Sequence, residues 1–482
     1  MNGRLLVIDV GTSNVRVSVV AADASIVTTR LEANLPQTPF PGLVEFDAVT
    51  LAELVEQMAA ACLEQAGPVD AVGITNQRSS TVVWDRSTGL PIAPGLGWQD
   101  LRTVLECLTL AGDGYRVAPN QSATKLAWLL DNHDADRARD LCFGTIDSWL
   151  IWRLTRGAVH ATDATNAGVT GLIELDGSGW WTALLERLRI PVSAMPTIVD
   201  SSGVIGEAVA LPGAPVIAGV AGDQQASLVG QGCLRPGQAK ATFGTGAFLN
   251  VWVGATRPSF PVRGDHGCFP IIATRTNGTI AWGVEALMLT AGSNVEWLRD
   301  DMALIESAAA SHEIAARCTD TGGVMYVPAL LGLGTPHFDY GARGTLLGLT
   351  RGSGRPEIVR AVLEGVAHRA ADLLESAEAD TGLSVGTVHV DGGMSANPTF
   401  VQAVADATQR KIEVCPLAEA TTLGAAFLAG VAVGVWPSLD ATAQTWSPAA
   451  TYTPERTLDR DQWHVAVERS RRWIPDLSAL DF

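Results

Sequence analysis

Charge is scarce in this chain and unevenly signed: 17% of its 482 residues are charged, with 33 Lys and Arg against 51 Asp and Glu, for a formal net charge of −18. Such a surface repels phosphate backbones and anionic lipid, so nucleic acid and membrane surfaces are excluded as expected partners. No uninterrupted apolar run is long enough to span a bilayer. The opening run Leu5-Leu6-Val7-Ile8 is broken by Asp9 before any small-residue cleavage site, so no targeting segment is read. The seven cysteines form no CxxC pair and are odd in number, as expected for reduced packing thiols in a cytoplasmic protein. Low-complexity tracts and short-period repeats are missing. So is the pattern GxxxxGK[ST], which excludes a Walker-type nucleotide site.

What the chain does have is a hydrophobic content of 47%, enough for well-filled cores, over a length that calls for two large domains. Two Gly-Thr loops stand out, Asp9-Val10-Gly11-Thr12-Ser13-Asn14 and Phe243-Gly244-Thr245-Gly246, each between strand-like runs. Glycine permits the tight turn, and the adjoining amides and hydroxyls then point one way, a geometry suited to phosphate. One such loop alone reads as a plain hairpin turn; its recurrence points to a duplicated core. Strand-like segments at 69–75 and 81–85 alternate with helical spacing at 51–65, 124–130, 358–379, 398–408 and 421–433. That alternation predicts an α/β architecture built on parallel sheet. The glycine-rich stretch 230–236 marks a boundary, giving domains 1–232 and 233–482. Asp223 follows the apolar strand 216–220 and is thereby presented at a strand end, where α/β sites form. The residues alone leave two roles open for it, a general base or the cap of a helix beginning near Gln225. Trp149, Trp152, Trp180 and Trp181 read as core or interface aromatics.

Several of these segments carry a resemblance to the FGGY family of carbohydrate kinases, and within it most to the glycerol kinases. They are Asp9-x-Gly11-Thr12-Ser13, Gly73-Ile74-Thr75-Asn76-Gln77-Arg78, Gly97-Trp98-Gln99-Asp100, residues 143–152, Ala221-Gly222-Asp223-Gln224-Gln225, residues 332–336 and 343–352, and Asp391-Gly392-Gly393-Met394-Ser395-Ala396-Asn397. The resemblance implies a two-domain actin-like ATPase (ribonuclease H-like) α/β fold, with a duplicated core and a cleft closing on ATP and a polyol. It implies ATP-dependent phosphorylation of a polyol or sugar hydroxyl, with ATP and Mg2+ as cofactors. Asp223 is then the general base, Arg16 neutralises charge developing during transfer, and Asp9 holds Mg2+ through water. Thr12, Ser13, Asn14, Thr245 and Gly246 hold phosphates, while Gly292, Gly393 and Asn397 lie at the base and ribose. Asn397 has an alternative, capping the helix that follows, and Arg16 could equally be a surface residue on its strand.

Arg78, Trp98, Asp223, Gln224 and Phe248 match acceptor-binding positions of the glycerol kinases. Two positions depart: Ser79 stands where that family carries a glutamate, and Asn120 where it carries a tyrosine. Both changes remove bulk. A larger polyol or a ketose is therefore expected, with Ser79 and Asn120 on its added hydroxyls, unless nearby side chains compensate and glycerol still fits. The short connection 207–215 lacks the loop that binds fructose 1,6-bisphosphate in bacterial relatives, so no such inhibition is expected. Actin-like folds also serve as sugar-sensing binding proteins or pseudokinases; retention of Asp9, Thr12, Arg16, Asp223 and Thr245 favours turnover. The resemblance alone admits a homodimer.

Overall fold

The first Gly-Thr loop closes a hairpin of β1 (Arg4–Val10) and β2 (Asn14–Ala21), with the Gly11 N–H donating to the Asn14 carbonyl at 2.9 Å. The computed structural model describes residues 3–416 and 420–481. β3 (Ile26–Ala33) pairs antiparallel with β2. On the other side of β1 lies β4 (Ala71–Asn76), parallel and buried at every position, as a central parallel strand covered on both faces must be. β5 (Ser202–Glu207) runs antiparallel to β6 (Val216–Gly222), which joins β4 in parallel.

The pattern then recurs. β7 (Ala239–Phe243) and β8 (Ala247–Gly254) form a second hairpin around Gly244-Thr245-Gly246, β9 (Phe269–Thr276) pairs with β10 (Thr279–Met288), and β10 pairs antiparallel with β8. β11 (Thr387–Asp391) and β12 (Lys411–Val414) add in parallel beyond β7. The spatial order β3-β2-β1-β4-β6 in the first half thus matches β10-β8-β7-β11-β12 in the second. Each Gly-Thr loop sits between the first two strands of its half, so the duplication read from the loops is a duplication of topology. A bridge between Ser202 and Thr276 links β5 to β9. With β13 (Ala450–Tyr452) at the far edge, one sheet of thirteen strands runs through the described residues.

The helices that position the site are α1 (Ala48–Ala66), α2 (Val104–Gly112), α3 (Ala123–His133), α4 (Asp223–Gly230), α5 (Ser293–Asp300), α6 (Arg355–Thr381), α7 (Pro398–Thr408) and α8 (Ala420–Ala432). α1 starts where the Asp47 carboxylate accepts from the Val49 and Thr50 N–H groups, and it buries Leu51, Val55, Met58 and Cys62 with Ile8 and Val17 of the first hairpin. Trp149 and Trp152 lie in this same core, while Trp180 and Trp181 pack half-buried on a satellite cluster around Leu126 and Leu184. α6 and α7 form the second core, with Val362, Val366, Phe400 and Val404 against Ala241, Phe243 and Leu249.

α8 breaks the sequential order. It comes late in the chain yet shares a core with Leu5, Val7, Ala71 and Ala218 of the first half and with Ala226 and Val229 of α4. Small residues permit this: a Cβ on Gly73 would lie 2.5 Å from the Ala425 carbonyl oxygen, so the helix rests directly on the strand backbone. All seven cysteines are free, six of them buried and Cys318 partly so. No helix among the described residues is long and apolar enough to cross a membrane.

Candidate active site

Parallel strands within the first half put their carboxyl ends on one edge, and Asp9, Arg78 and Asp223 lie at or just beyond those ends. Asp9 lies near the end of β1, opposite Arg16 of β2 in the hairpin register. Its carboxylate accepts from the Thr421 hydroxyl at 2.7 Å, a contact from α8. Burial pushes the Asp9 carboxyl up to about 6, offset by Thr421 and Arg16, while the nearby Asp223 charge pushes it the same way as burial. In the loop itself Thr12 is half-exposed and Ser13 and Asn14 are exposed. The Thr12 hydroxyl accepts from Trp98 Nε1 at 3.1 Å, which ties Trp98 to the first Gly-Thr loop.

Asp223 is the first residue of α4, and Gly222 occupies the cap position with no side-chain cap bond. The Asp223 carboxylate still accepts from the Gln224 N–H in the first turn at 2.8 Å, so it serves the helix end from inside α4 as well as facing Arg78. Its carboxylate lies 3.3 Å from Arg78 Nε, and Arg78 Nη2 reaches Glu285 of β10 at 2.9 Å. Asn250 of β8 donates to the same Glu285 oxygen, at 2.9 Å to Oε2, while Arg78 Nη2 also reaches Oε1 at 3.1 Å. Arg78 follows β4 in the first half and Glu285 belongs to the second, so this pair spans the two. Burial holds Asp223 above the ordinary carboxylate range, with Arg78 and then Lys240 pulling it back. Phe248 lies beneath the guanidinium, 5.7 Å from ring centroid to Arg78 Cζ.

The two departing positions differ in placement. Ser79 is buried in the left-handed region at φ 65°, uncommon for a residue with a side chain. Its hydroxyl donates to the Val169 carbonyl at 2.9 Å, and its own carbonyl accepts from Ser122 at 2.9 Å, so its polar groups are engaged within the protein. Asn120 is exposed on a loop whose neighbours are gathered by Lys125 of α3. That buried ammonium donates to the carbonyls of Trp98 at 3.2 Å, Pro119 at 2.6 Å and Gln121 at 3.1 Å. Asp100 completes the anchoring of the Trp98 segment by accepting from the Val44 N–H at 2.7 Å and pairing with Arg102 at 2.8 Å.

In the second half, Gly244 and Thr245 are exposed and Gly246 half-buried. The Gly292 N–H donates to the Gly244 carbonyl at 2.8 Å, and Ala291 donates to Thr245 at 2.7 Å. Gly292 must be glycine, since a Cβ there would meet the Gly244 carbonyl oxygen at 2.6 Å. Gly392, at φ 87°, carries the conformational demand at the end of β11, whereas Gly393 is exposed with open space where a side chain would go. Asn397 caps α7, accepting from the Phe400 N–H at 3.1 Å, and donates to the Ser311 hydroxyl at 2.9 Å. Both polar atoms of its side chain are thus engaged, which is the capping role. Among the described residues no hydrogen bond joins the two Gly-Thr loops to each other; the cluster of Arg78, Asp223, Glu285 and Lys240 instead links the segment after β4 and the start of α4 to β10 and β7.

Glu285, Asn250, Lys240 and Thr421 belong to this constellation and were not picked out by sequence reasoning. A signal existed for Glu285 and Lys240, each a lone charge inside an otherwise apolar strand. None existed for Thr421, because its partner lies 412 residues away.

A duplicated α/β core with a hairpin loop in each half, and a carboxylate held by basic side chains between them, defines a two-lobed phosphotransferase. The N-terminal domain of the FGGY family of carbohydrate kinases matches residues 4–230, and the C-terminal domain of that family matches residues 239–433. The chain belongs to the FGGY family of carbohydrate kinases. It is 39% identical over 502 residues to a glycerol kinase of Petrotoga mobilis, covering 99% of this chain and 100% of that protein. To a glycerol kinase of Trichlorobacter lovleyi it is 41% identical over 495 residues, covering 97% and 99%. The structure of Plasmodium falciparum glycerol kinase with ADP superposes with a TM-score of 0.89 at 30% identity, over 97% of this chain and 98% of that one. A xylulose kinase of Lactobacillus acidophilus shares the fold, with a TM-score of 0.84 at 20% identity over 97% and 96%. The protein is accordingly an enzyme that phosphorylates a polyol or sugar hydroxyl with ATP.

Proposed function

We propose that Asp223 removes the proton from an acceptor hydroxyl as its oxygen attacks the γ-phosphorus of ATP, and that the acceptor is a polyol longer than glycerol, or a ketose. The observation that carries the first part is the placement of Asp223. It is the opening residue of a helix at a strand end, paired with Arg78 at 3.3 Å, with a carboxyl that burial keeps proton-hungry. As the new oxygen–phosphorus bond forms and the bond to ADP breaks, charge spreads over the equatorial oxygens. Arg16, the half-exposed Thr12, the exposed Ser13 and Asn14, and the Thr245 and Gly246 amides are the donors assigned to it. Gly292 and the open side of Gly393 border the nucleotide, which Asn397 supports through the cap of α7.

Asp9 fits a hydrated Mg2+: its carboxyl is buried beside the first Gly-Thr loop, with Arg16 offsetting only part of the effect of burial and a second carboxylate, Asp223, close enough to raise it further. Mg2+ held there would supply neutralisation of the β,γ-phosphates. Arg78, Trp98, Gln224 and Phe248 surround the acceptor in this reading, with Ser79 and Asn120 bounding the added length. Position 79 offers no carboxylate, and its hydroxyl is spent on Val169, so a small triol loses one strong acceptor of hydrogen bonds. A second reading, glycerol itself, is favoured by the full-length likeness to glycerol kinases and by the carboxylate that Glu285 brings to Arg78. Between Glu207 and Pro215 the chain makes a tight turn, Ala208 N–H to Pro215 carbonyl at 2.9 Å, which supports the absence of inhibition by fructose 1,6-bisphosphate.

Initial rates of ADP release with ATP and glycerol, erythritol, ribitol, xylitol or ketoses decide among these. A longer acceptor is expected to give the highest kcat/KM. A clear glycerol optimum refutes the larger acceptor, and ADP release that ignores every acceptor refutes the assigned chemistry.

A further inference from the structure

The chain contains only three lysines, Lys125, Lys240 and Lys411, and the first two are fully buried. An ammonium is taken out of water only where it is hydrogen-bonded and its charge is met. Lys125 has backbone partners and anchors loops. Lys240 has none: its Nζ donates to the side chains of Gln224, through Oε1, and of Thr242, at 2.9 Å to Oγ1. Asp391, Glu285 and Asp223 supply the negative charge around it. Lys240 lies in β7, the strand that leads into the second Gly-Thr loop, and Gln224 is the neighbour of Asp223 in α4. The bond therefore joins the strand of one phosphate loop to the helix of the base.

The chemistry of the donor fixes the orientation of the amide. An ammonium has no lone pair to offer, so Gln224 must turn its oxygen to Lys240 and its Nε2 away. Among the described residues no protein group accepts from Nε2. We infer that Lys240 is a positioning residue for the acceptor, holding the Gln224 carboxamide so that its N–H is offered to a polyol hydroxyl oxygen beside Asp223. This rests on the reading that the acceptor lies against Asp223.

The test is a double-mutant cycle of Lys240→Met and Gln224→Met in the full chain, with KM for the best acceptor and for ATP, and thermal midpoints, measured for each. Lys240→Met is expected to raise acceptor KM about tenfold, the worth of one hydrogen bond, with ATP KM unchanged within about twofold. Added to Gln224→Met it is expected to cost nothing further, because both remove one interaction. Full additivity, or equal loss of acceptor and ATP binding, overturns the inference. Should Lys240→Met not fold, Lys240→Gln carries the test, since it keeps a donor for Gln224. It is expected to hold acceptor KM within about threefold of wild type, and a loss as large as that of Gln224→Met overturns the proposal. Wild-type enzyme without acceptor-dependent ADP release sinks the assigned chemistry instead; active wild type with a normal Lys240→Met sinks only the inference.

Discussion

Gly424 lies inside α8, where helix propensity alone says that alanine should stabilise by about 1 kcal/mol. The structure reverses that sign. A Cβ at position 424 would fall 2.5 Å from the Ala226 carbonyl carbon and 2.9 Å from its Cα, and closer still to its oxygen, whereas carbon atoms rest at roughly 3.5–4.0 Å. Both walls of the gap are helix backbone, so no rotamer change relieves the overlap, and α8 and α4 must separate by about 1 Å. Overpacking of this kind costs about 1–3 kcal/mol, and the lack of any soft neighbour puts this case near the upper end. The net expectation for Gly424→Ala is a loss of about 2 kcal/mol after the propensity gain. Gly112, the last residue of α2, has nothing within 4 Å of its would-be Cβ and serves as the control. Gly112→Ala should be neutral or stabilising. Urea midpoints for both variants, run beside wild type, read the difference directly. Because Asp223 opens α4, the same displacement should lower kcat about 100-fold at temperatures where the variant remains folded. A Gly424→Ala enzyme as stable as Gly112→Ala refutes the backbone contact between the two helices.

Asp223→Asn should keep ATP binding, measured by equilibrium titration, while turnover falls by about 10²–10⁴-fold; near-normal turnover removes Asp223 from the chemistry. Lys125→Met would strand three half-buried carbonyls and free the Trp98 loop, so a lower thermal midpoint and a raised acceptor KM are expected, at a cost of about 3 kcal/mol. His368 of α6 stacks on Trp463 with centroids 4.8 Å apart and accepts from Arg460 Nη1 at 3.3 Å. Burial, then Arg460, pushes its pKa from 6.5 down to about 3. The unfolded chain takes up this proton near pH 6.5 and the folded chain does not, so its contribution is complete above pH 6.5 and is lost as pH falls toward 3. By pH 4.5 the loss should be about 2–3 kcal/mol, and urea midpoints of His368→Gln should vary less with pH than those of wild type.

Much of this was legible along the chain because it depends on neighbours in sequence. The α7 helix has the bounds Pro398–Thr408 read from its apolar spacing, with proline at the first position and Asn397 as cap. The Gly-Thr hairpins form between the strands expected, though neither Gly11 nor Gly244 takes the left-handed backbone that glycine allows, and Asp223 stands at the strand end where its apolar approach puts it. What stayed hidden depends on groups distant in sequence. Ser79 gives no sign of its left-handed backbone or of its bond to Val169. Glu285 looks like an isolated carboxylate until Arg78, 207 residues earlier, is seen beside it.

By itself, then, the sequence determined the duplicated α/β pattern, the two Gly-Thr hairpins and a carboxylate presented at a strand end, since turns, caps and strand alternation are local preferences of the backbone. Only the tertiary structure decided that α8 crosses back onto the first half, that Arg78 and Glu285 meet across the two halves, and that a buried lysine orients Gln224. Close backbone packing and buried charge pairing are satisfied by whichever groups the fold brings together, and linear order does not encode which those are.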